Sequence, residues 1–129
     1  MHQGGRDTWR KGIVLKIRRV YDTPLRDDGV RILVDRLWPR GLSKTSASID
    51  LWLKQIAPSN ELRTWFAHDP ARWREFKRRY FLELRGNPAL SELSARKAHG
   101  SLTLLYAARD EKHNNAVALA EYLRRSFKM

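Results

Sequence analysis

Apolar positions along the chain follow two different periods, which predicts a domain of interleaved strands and helices. Residues 12–21 alternate apolar and polar side chains, a pattern typical of a half-buried outer strand. Residues 30–35 form a more continuous apolar run, as in a strand that is covered on both faces. A buried strand is also predicted over residues 101–107, and residues 49–56 predict a third strand or, alternatively, a short helix.

Helix starts are marked by small polar residues, three of them next to a proline. Ser59 precedes apolar residues at helical spacing, and Asp69 and Asn87 are each followed by a proline at a helix start. The last helix is predicted from about residue 113 to residue 127. Strands separated by helices need crossover connections, and these favour parallel pairing.

The predicted fold is a single α/β domain with a mainly parallel central sheet of about four strands, flanked by helices and Rossmann-like. A chain of 129 residues fits one such domain. We expect residues 1–11 to form a flexible N-terminal extension and residues 12–129 to form the domain. No glycine-rich dinucleotide fingerprint or phosphate-binding loop follows any predicted strand, so no nucleotide cofactor is expected.

Composition narrows the classes of chemistry further. The chain has no cysteine, which excludes disulfides, thiolate nucleophiles and cysteine-based metal sites. Its four histidines lack metal-ligand spacing, so we expect no metal. With no signal-like segment and no membrane-length apolar run, a cytoplasmic location without membrane contact is expected. The net charge of +12 favours anionic partners, whereas the oligomeric state is left open.

Two polar clusters follow predicted strands and form the candidate site. In a parallel sheet, ligands gather outside the carboxyl ends of the strands, where these clusters would converge. Asp35 and His113 are the candidate titratable, catalytic pair. The candidate ligand-binding residues are Arg36, Trp38, Arg40, Ser59, Arg63, His68, Arg109, Asp110 and Asn114.

A purely structural interpretation of the same residues stays open. Asp35 and Arg36 would then form an ion pair, Asp110 would cap the last helix, and Trp38 would fix a turn by packing. Exposed tryptophans such as Trp38 or Trp65 would instead indicate a partner-binding module.

The helix predicted over residues 70–85 is basic and offers a function of another class. Arg74, Arg78 and Arg79 lie opposite its apolar stripe, where they could contact a phosphate backbone without reading sequence. The alternative is an ordinary solvated helix surface.

Several motifs together resemble one family. They are residues 34–41 (VDRLWPRG), 57–63 (APSNELR), 65–69 (WFAHD), 73–76 (WREF) and 103–110 (TLLYAARD), followed by His113 and Asn114. This set, spread over roughly residues 13–125, is similar to the YeaO-like family of small bacterial proteins of unknown function. The resemblance implies an α/β domain with a site around these motifs and supplies no reaction. Where the family usually has a second histidine this chain has Asn115, which weakens the case for a histidine pair.

The leading interpretation is therefore a protein that binds a small anionic ligand at the strand ends, with or without turnover. The alternative is a non-catalytic protein that binds nucleic acid independently of sequence through the basic helix.

Overall fold

A computed structural model describes residues 14–97 and 100–126, the side chain of Lys97 excepted. The predicted extension, residues 1–11, lies outside the described residues. The strands are β1 (Leu15–Arg19), β2 (Val30–Leu33), β3 (Leu51–Trp52) and β4 (Leu102–Tyr106). The α-helices are α1 (Lys44–Ala47), α2 (Asn60–Phe66), α3 (Trp73–Leu84), α4 (Ala89–Lys97) and α5 (Asn115–Ser126). Short 3-10 turns occupy Arg26–Asp28, Lys54–Ile56 and Pro70–Arg72.

The four strands form one parallel sheet in the order β1-β4-β2-β3. This confirms the predicted α/β class and the outer position of the first strand. All five residues of β4 are buried, because the strand has a neighbour on each side. The last strand in the sequence therefore separates β1 from β2, which follow one another along the chain.

The predicted helix starts are confirmed by local hydrogen bonds. The Ser59 side chain accepts from the Leu62 N–H at 3.1 Å, Asp69 accepts from Ala71 at 3.0 Å, and Asn87 accepts from Ala89 at 2.8 Å. Each side chain satisfies a donor that has no partner within the helix. Residues 49–56 were predicted as a strand or a short helix, and they contain a short form of each: the two-residue β3 is followed by a 3-10 turn.

The two faces of the sheet are covered unequally. Buried residues of α2, α3, α4 and α5 share one cluster with one face of the sheet, so the four longer helices cover that face. The opposite face packs on α1 and the loops around it through a smaller cluster. "Rossmann-like" therefore describes the parallel sheet and its crossovers only loosely.

The less covered face carries a buried group of charges. Asp28 and Arg31 are both buried and paired with each other. Lys16 donates to Asp28 at 2.8 Å, and Arg18 lies 3.7 Å from the same carboxylate. Burial alone raises the pKa of Asp28, but the bonds from Lys16, the Leu25 N–H and Arg31 outweigh it and lower that pKa.

Candidate functional site

A cavity of about 340 Å³ lies outside the carboxyl ends of the strands, and we call it the site cavity. Its volume is within the range of small-molecule sites. Seven of the predicted site residues line it: Asp35, Arg36, Trp38, Arg40, Arg63, His68 and Asn114. Apolar side chains fill much of the remaining wall, among them Leu37, Phe66 and Phe76.

Asp35 comes from the chain directly after β2, and its carboxylate joins two strand ends. Its Oδ2 accepts from the Ala107 N–H at 2.9 Å, beyond the end of β4. Its Oδ1 is buried and makes no hydrogen bond of good geometry, although the side chain of Asn115 lies close enough to favour ionisation. Burial raises the pKa of Asp35. Asn115, the Ala107 N–H and the charge of His68 all lower this pKa, but burial outweighs them.

Three arginines give the site cavity its positive charge, and they differ in their surroundings. Arg36 donates to the carbonyls of Pro58 and Ala57, at 3.0 and 3.3 Å, so it joins two loops and does not pair with Asp35. Arg63 has a single long bond of 3.4 Å to the Asn60 side chain. Arg40 is exposed, and within the described residues its guanidinium has no hydrogen-bond or ion-pair partner.

The loop of Trp38 is fixed by packing and by two indole hydrogen bonds. Trp38 Nε1 donates to the Leu42 carbonyl at 2.6 Å, and its ring meets Trp52 edge-on at 5.3 Å. Trp52 Nε1 donates in turn to the Asp35 carbonyl at 2.8 Å. Trp38 thus lines the cavity and also fixes the turn, as the structural interpretation predicts. Trp38 and Trp65 are only half exposed, which does not favour a tryptophan docking surface.

His68 forms part of the cavity wall in an uncommon backbone conformation. Both Ala67 and His68 have positive φ, 49° and 55°, immediately after α2 ends. Non-glycine residues in this region are sterically disfavoured, and such positions cluster at binding and active sites. The conformation brings an exposed imidazole to the rim of the cavity.

A second, more open depression of about 770 Å³ adjoins the first, and we call it the outer groove. Arg109 and Asp110 line it, together with Arg19. Four residues belong to the walls of both depressions: Tyr21, His68, Ala107 and Ala108. The two predicted clusters therefore converge at one end of the sheet, although in adjoining compartments.

Two predicted site residues have structural partners away from the site cavity. His113 Nδ1 lies 2.9 Å from Asp110 Oδ2, and its ring packs edge-on against Trp73 at 5.4 Å. It does not line the cavity with Asp35; of the histidines in the described part of the chain, His68 does. Ser59 caps α2 and donates to Glu83 at 2.6 Å.

Three side chains, those of Asp110, Asn114 and Asn115, fix the start of α5. Asn114 is the true cap, since its Oδ1 accepts from Val117 at 3.0 Å, whereas Asp110 organises the preceding turn by accepting from the Lys112 and His113 N–H groups. Asn115 was missed as a site residue, yet its amide donates to the Val34 carbonyl at 2.9 Å. A polar side chain at the first position of a helix that follows a strand was the available signal.

The basic helix α3 is partly neutralised by its own acidic residue. Glu75 accepts from Arg78 at 2.8 and 3.0 Å and from Arg79 at 2.7 Å. The hydrogen bonds from Arg78 and Arg79 lower the pKa of Glu75 to about 2. The Arg79 guanidinium also lies over the Trp65 ring, 4.2 Å from its centre. All three predicted arginines, Arg74 included, are exposed. Phosphates would have to compete with Glu75 for two of the three predicted arginines.

Residues 14–97 and 100–126 contain no group of three or more acidic or histidine side chains able to hold a metal ion. None of the helices in this part of the chain is long and apolar enough to cross a membrane.

Asp35→Asn should shift the pH dependence of stability in a defined direction. Because the folded pKa is raised above the ordinary 3.8, the unfolded chain ionises first and Asp35 costs the folded state stability as pH rises. Asparagine keeps an oxygen for the Ala107 N–H without the charge. The free energy of unfolding of Asp35→Asn, relative to the parent, should therefore increase from pH 3.5 to pH 6 in urea titrations.

Asp110→Asn is the matched control for that prediction. The His113 hydrogen bond, followed by that of the Lys112 N–H, lowers the pKa of Asp110, so its carboxylate favours folding once ionised. The relative stability of Asp110→Asn should therefore fall over the same pH interval. If the relative stabilities of the two variants changed with pH in the same direction, the conclusion that burial raises the pKa of Asp35 would be contradicted.

Comparisons with known proteins place this chain within a family. A family model described as "Inactive DUF488-N3 subclade" matches residues 14–129. The chain is 40% identical over 114 residues to the uncharacterized protein YeaO of Escherichia coli K12, covering 85% of this chain and 96% of that protein. It is also 40% identical over 109 residues to the uncharacterized protein Rv3073c of Mycobacterium tuberculosis H37Rv, covering 84% and 92% of the two chains.

No solved structure matches the chain. The resemblance found in the motifs is confirmed by these relatives, which are themselves uncharacterised. The chain therefore belongs to the YeaO-like proteins of the DUF488 family, in the group described as the inactive DUF488-N3 subclade.

Proposed function

We propose that this protein binds a small organic anion in the site cavity. The observation that carries the proposal is Arg40, a cavity-lining arginine whose guanidinium has no partner in the described part of the chain. Arg36 and Arg63 add two further positive charges to the same wall, against one carboxylate among the described lining residues, that of Asp35. A site with this balance of charge attracts anions.

The rest of the wall supports an organic rather than an inorganic ligand. The rings of Phe66 and Phe76 are stacked at 4.4 Å, and both residues line the cavity with Leu37 and Trp38. Apolar walls with a few placed polar groups are typical of sites for small organic molecules. A ligand with an apolar body and an anionic group would match both features.

Binding without turnover is favoured over catalysis. Among the described residues, the cavity offers few groups able to carry out catalysis: one carboxylate with a raised pKa, that of Asp35, and the rim imidazole of His68. The other candidate, His113, is paired with Asp110. The description of the matching family as an inactive subclade supports the same choice.

Nucleic-acid binding through α3 is the second interpretation, and it has less support. Arg78 and Arg79 both donate to Glu75, so part of their positive charge is already compensated within the helix. We therefore assign the candidate ligand site to the cavity.

Arg40→Ala should abolish stabilisation by anions and leave the fold intact. In the parent, phosphate, sulfate, benzoate and phenyl phosphate are screened by thermal shift; a ligand at 100 times its dissociation constant stabilises by about 2.7 kcal/mol. Because Arg40 is exposed, its removal should change stability in buffer by less than about 0.5 kcal/mol.

Arg85→Ala is the matched control, because Arg85 is an exposed arginine that lines neither depression. It removes the same charge and should retain the full anion response. An unchanged response in Arg40→Ala, or no response of the parent to any of the four anions, would overturn the proposal.

A further inference from the structure

The site cavity and the outer groove adjoin one another beyond the carboxyl ends of β1, β4 and β2. Tyr21, His68 and the backbone of residues 107–108 contribute to both walls. A ligand that contacts this shared wall from the site cavity therefore lies next to the lining of the outer groove.

Tyr21 lies at the junction and connects the arginines of the two compartments. Its hydroxyl donates to the Arg40 carbonyl at 2.9 Å. The guanidinium of Arg19 lies 4.7 Å from the centre of its ring, and Arg19 Nε donates to the Ala108 carbonyl at 3.0 Å. The junction is thus built from hydrogen-bonded and stacked groups.

Each compartment carries its own uncompensated positive charge. Arg40 lies in the site cavity and Arg109 in the outer groove; both are exposed, and neither guanidinium has a hydrogen-bond or ion-pair partner among the described residues. The acidic residue of the outer groove, Asp110, is already engaged by His113. One anionic group could compensate only one of these compartments.

Resting on the proposed function, we infer that the ligand is an extended organic dianion, with one anionic group beside Arg40 and a second beside Arg109. The apolar wall of the site cavity contacts the part of the ligand next to the first group. Once the first group is bound, the second binds at a high effective concentration, so that the two contacts reinforce one another. Carboxylate and phosphate groups share the chemistry that both arginines recognise.

The inference is tested by calorimetric titration of the full chain with two matched series of probes. One series consists of α,ω-dicarboxylates from succinate to suberate, and the other of monocarboxylates of the same lengths, from butanoate to octanoate. In the parent, the dicarboxylate of best length should bind about tenfold more tightly than its monocarboxylate, a difference of about 1.4 kcal/mol. A dicarboxylate too short to reach both arginines should show no such advantage.

Two variants and a control assign the second contact. Arg109→Ala should reduce the best dicarboxylate to the affinity of its monocarboxylate while leaving monocarboxylate binding unchanged. Arg40→Ala should weaken both series, and Arg85→Ala should weaken neither.

The outcomes separate the inference from the proposed function. Equal affinities in the two series, or a dicarboxylate advantage that survives in Arg109→Ala, would overturn the dianion and leave anion binding in place. Failure of both series while benzoate or phenyl phosphate still stabilises the parent would do the same. Failure of every anion would overturn both.

Discussion

Arg31→Ala should lower the free energy of unfolding by roughly 3–5 kcal/mol, the range for breaking a buried ion pair by removing one partner. Arg31 is only 4% exposed, and each of its three guanidinium nitrogens donates a hydrogen bond. It pairs with the buried Asp28, and it donates to the carbonyls of Ser48 at 2.9 Å and Ala47 at 3.0 Å. Alanine would leave the Ala47 and Ser48 carbonyls without these donors and would remove the closest cation from Asp28. Among the described residues, Asp28 would then keep only Lys16 and the Leu25 N–H as hydrogen-bond donors.

Arg26→Ala is the control for this prediction, and urea denaturation is the measurement. Arg26 lies five residues earlier and is itself exposed, so its removal should change stability by less than about 0.5 kcal/mol. A loss below about 1 kcal/mol in Arg31→Ala would mean that Lys16 and Arg18, which remain near Asp28, compensate its charge unaided.

Gly29→Ala should cost about 2–5 kcal/mol, as the sum of backbone strain and steric overlap. Gly29 has a φ of +68°, and a Cβ atom there would lie 2.2 Å from the Ser101 carbonyl oxygen. That oxygen accepts from the Val30 N–H at 3.0 Å, so it cannot move without disturbing the pairing of β2 with β4. Since β2 leads into the loop of Asp35 and Arg40, the substitution should also loosen the site cavity.

Gly86→Ala separates the two contributions. Gly86 has a comparable φ of +77°, but a Cβ atom there would meet nothing within 4 Å. It should therefore show only the strain, about 1–2 kcal/mol in thermal and urea unfolding. Equal losses in the two variants would indicate that the contact with Ser101 relaxes at no cost.

The part of the candidate site that consists of residues directly after strands could be predicted from the sequence. Polar residues after a buried strand of a parallel sheet face its carboxyl edge, and Asp35, Arg40 and Arg109 do lie there. The predicted pair of Asp35 and His113 does not meet in the structure, because the His113 imidazole pairs with Asp110. His68 occupies the cavity rim instead, through a left-handed turn that no local sequence signal indicated.

The sequence by itself determined the features that depend on near neighbours. The caps at Ser59, Asp69 and Asn87 bond to backbone groups two or three residues away, so the local sequence specifies them fully. The same holds for the apolar periods that fixed the class of the fold, because a strand or helix turns its side chains at a constant angle.

Only the tertiary structure decided which distant groups meet. The placement of β4 between β1 and β2, the bond from Ala107 to Asp35 across 72 residues, and the burial of Arg31 with Asp28 follow from how the whole chain packs. Such contacts are selected by the burial of the entire core and by the need to satisfy buried polar groups, and neither is encoded in a local period. The site cavity and the position of Arg40 on its wall are products of that same long-range packing.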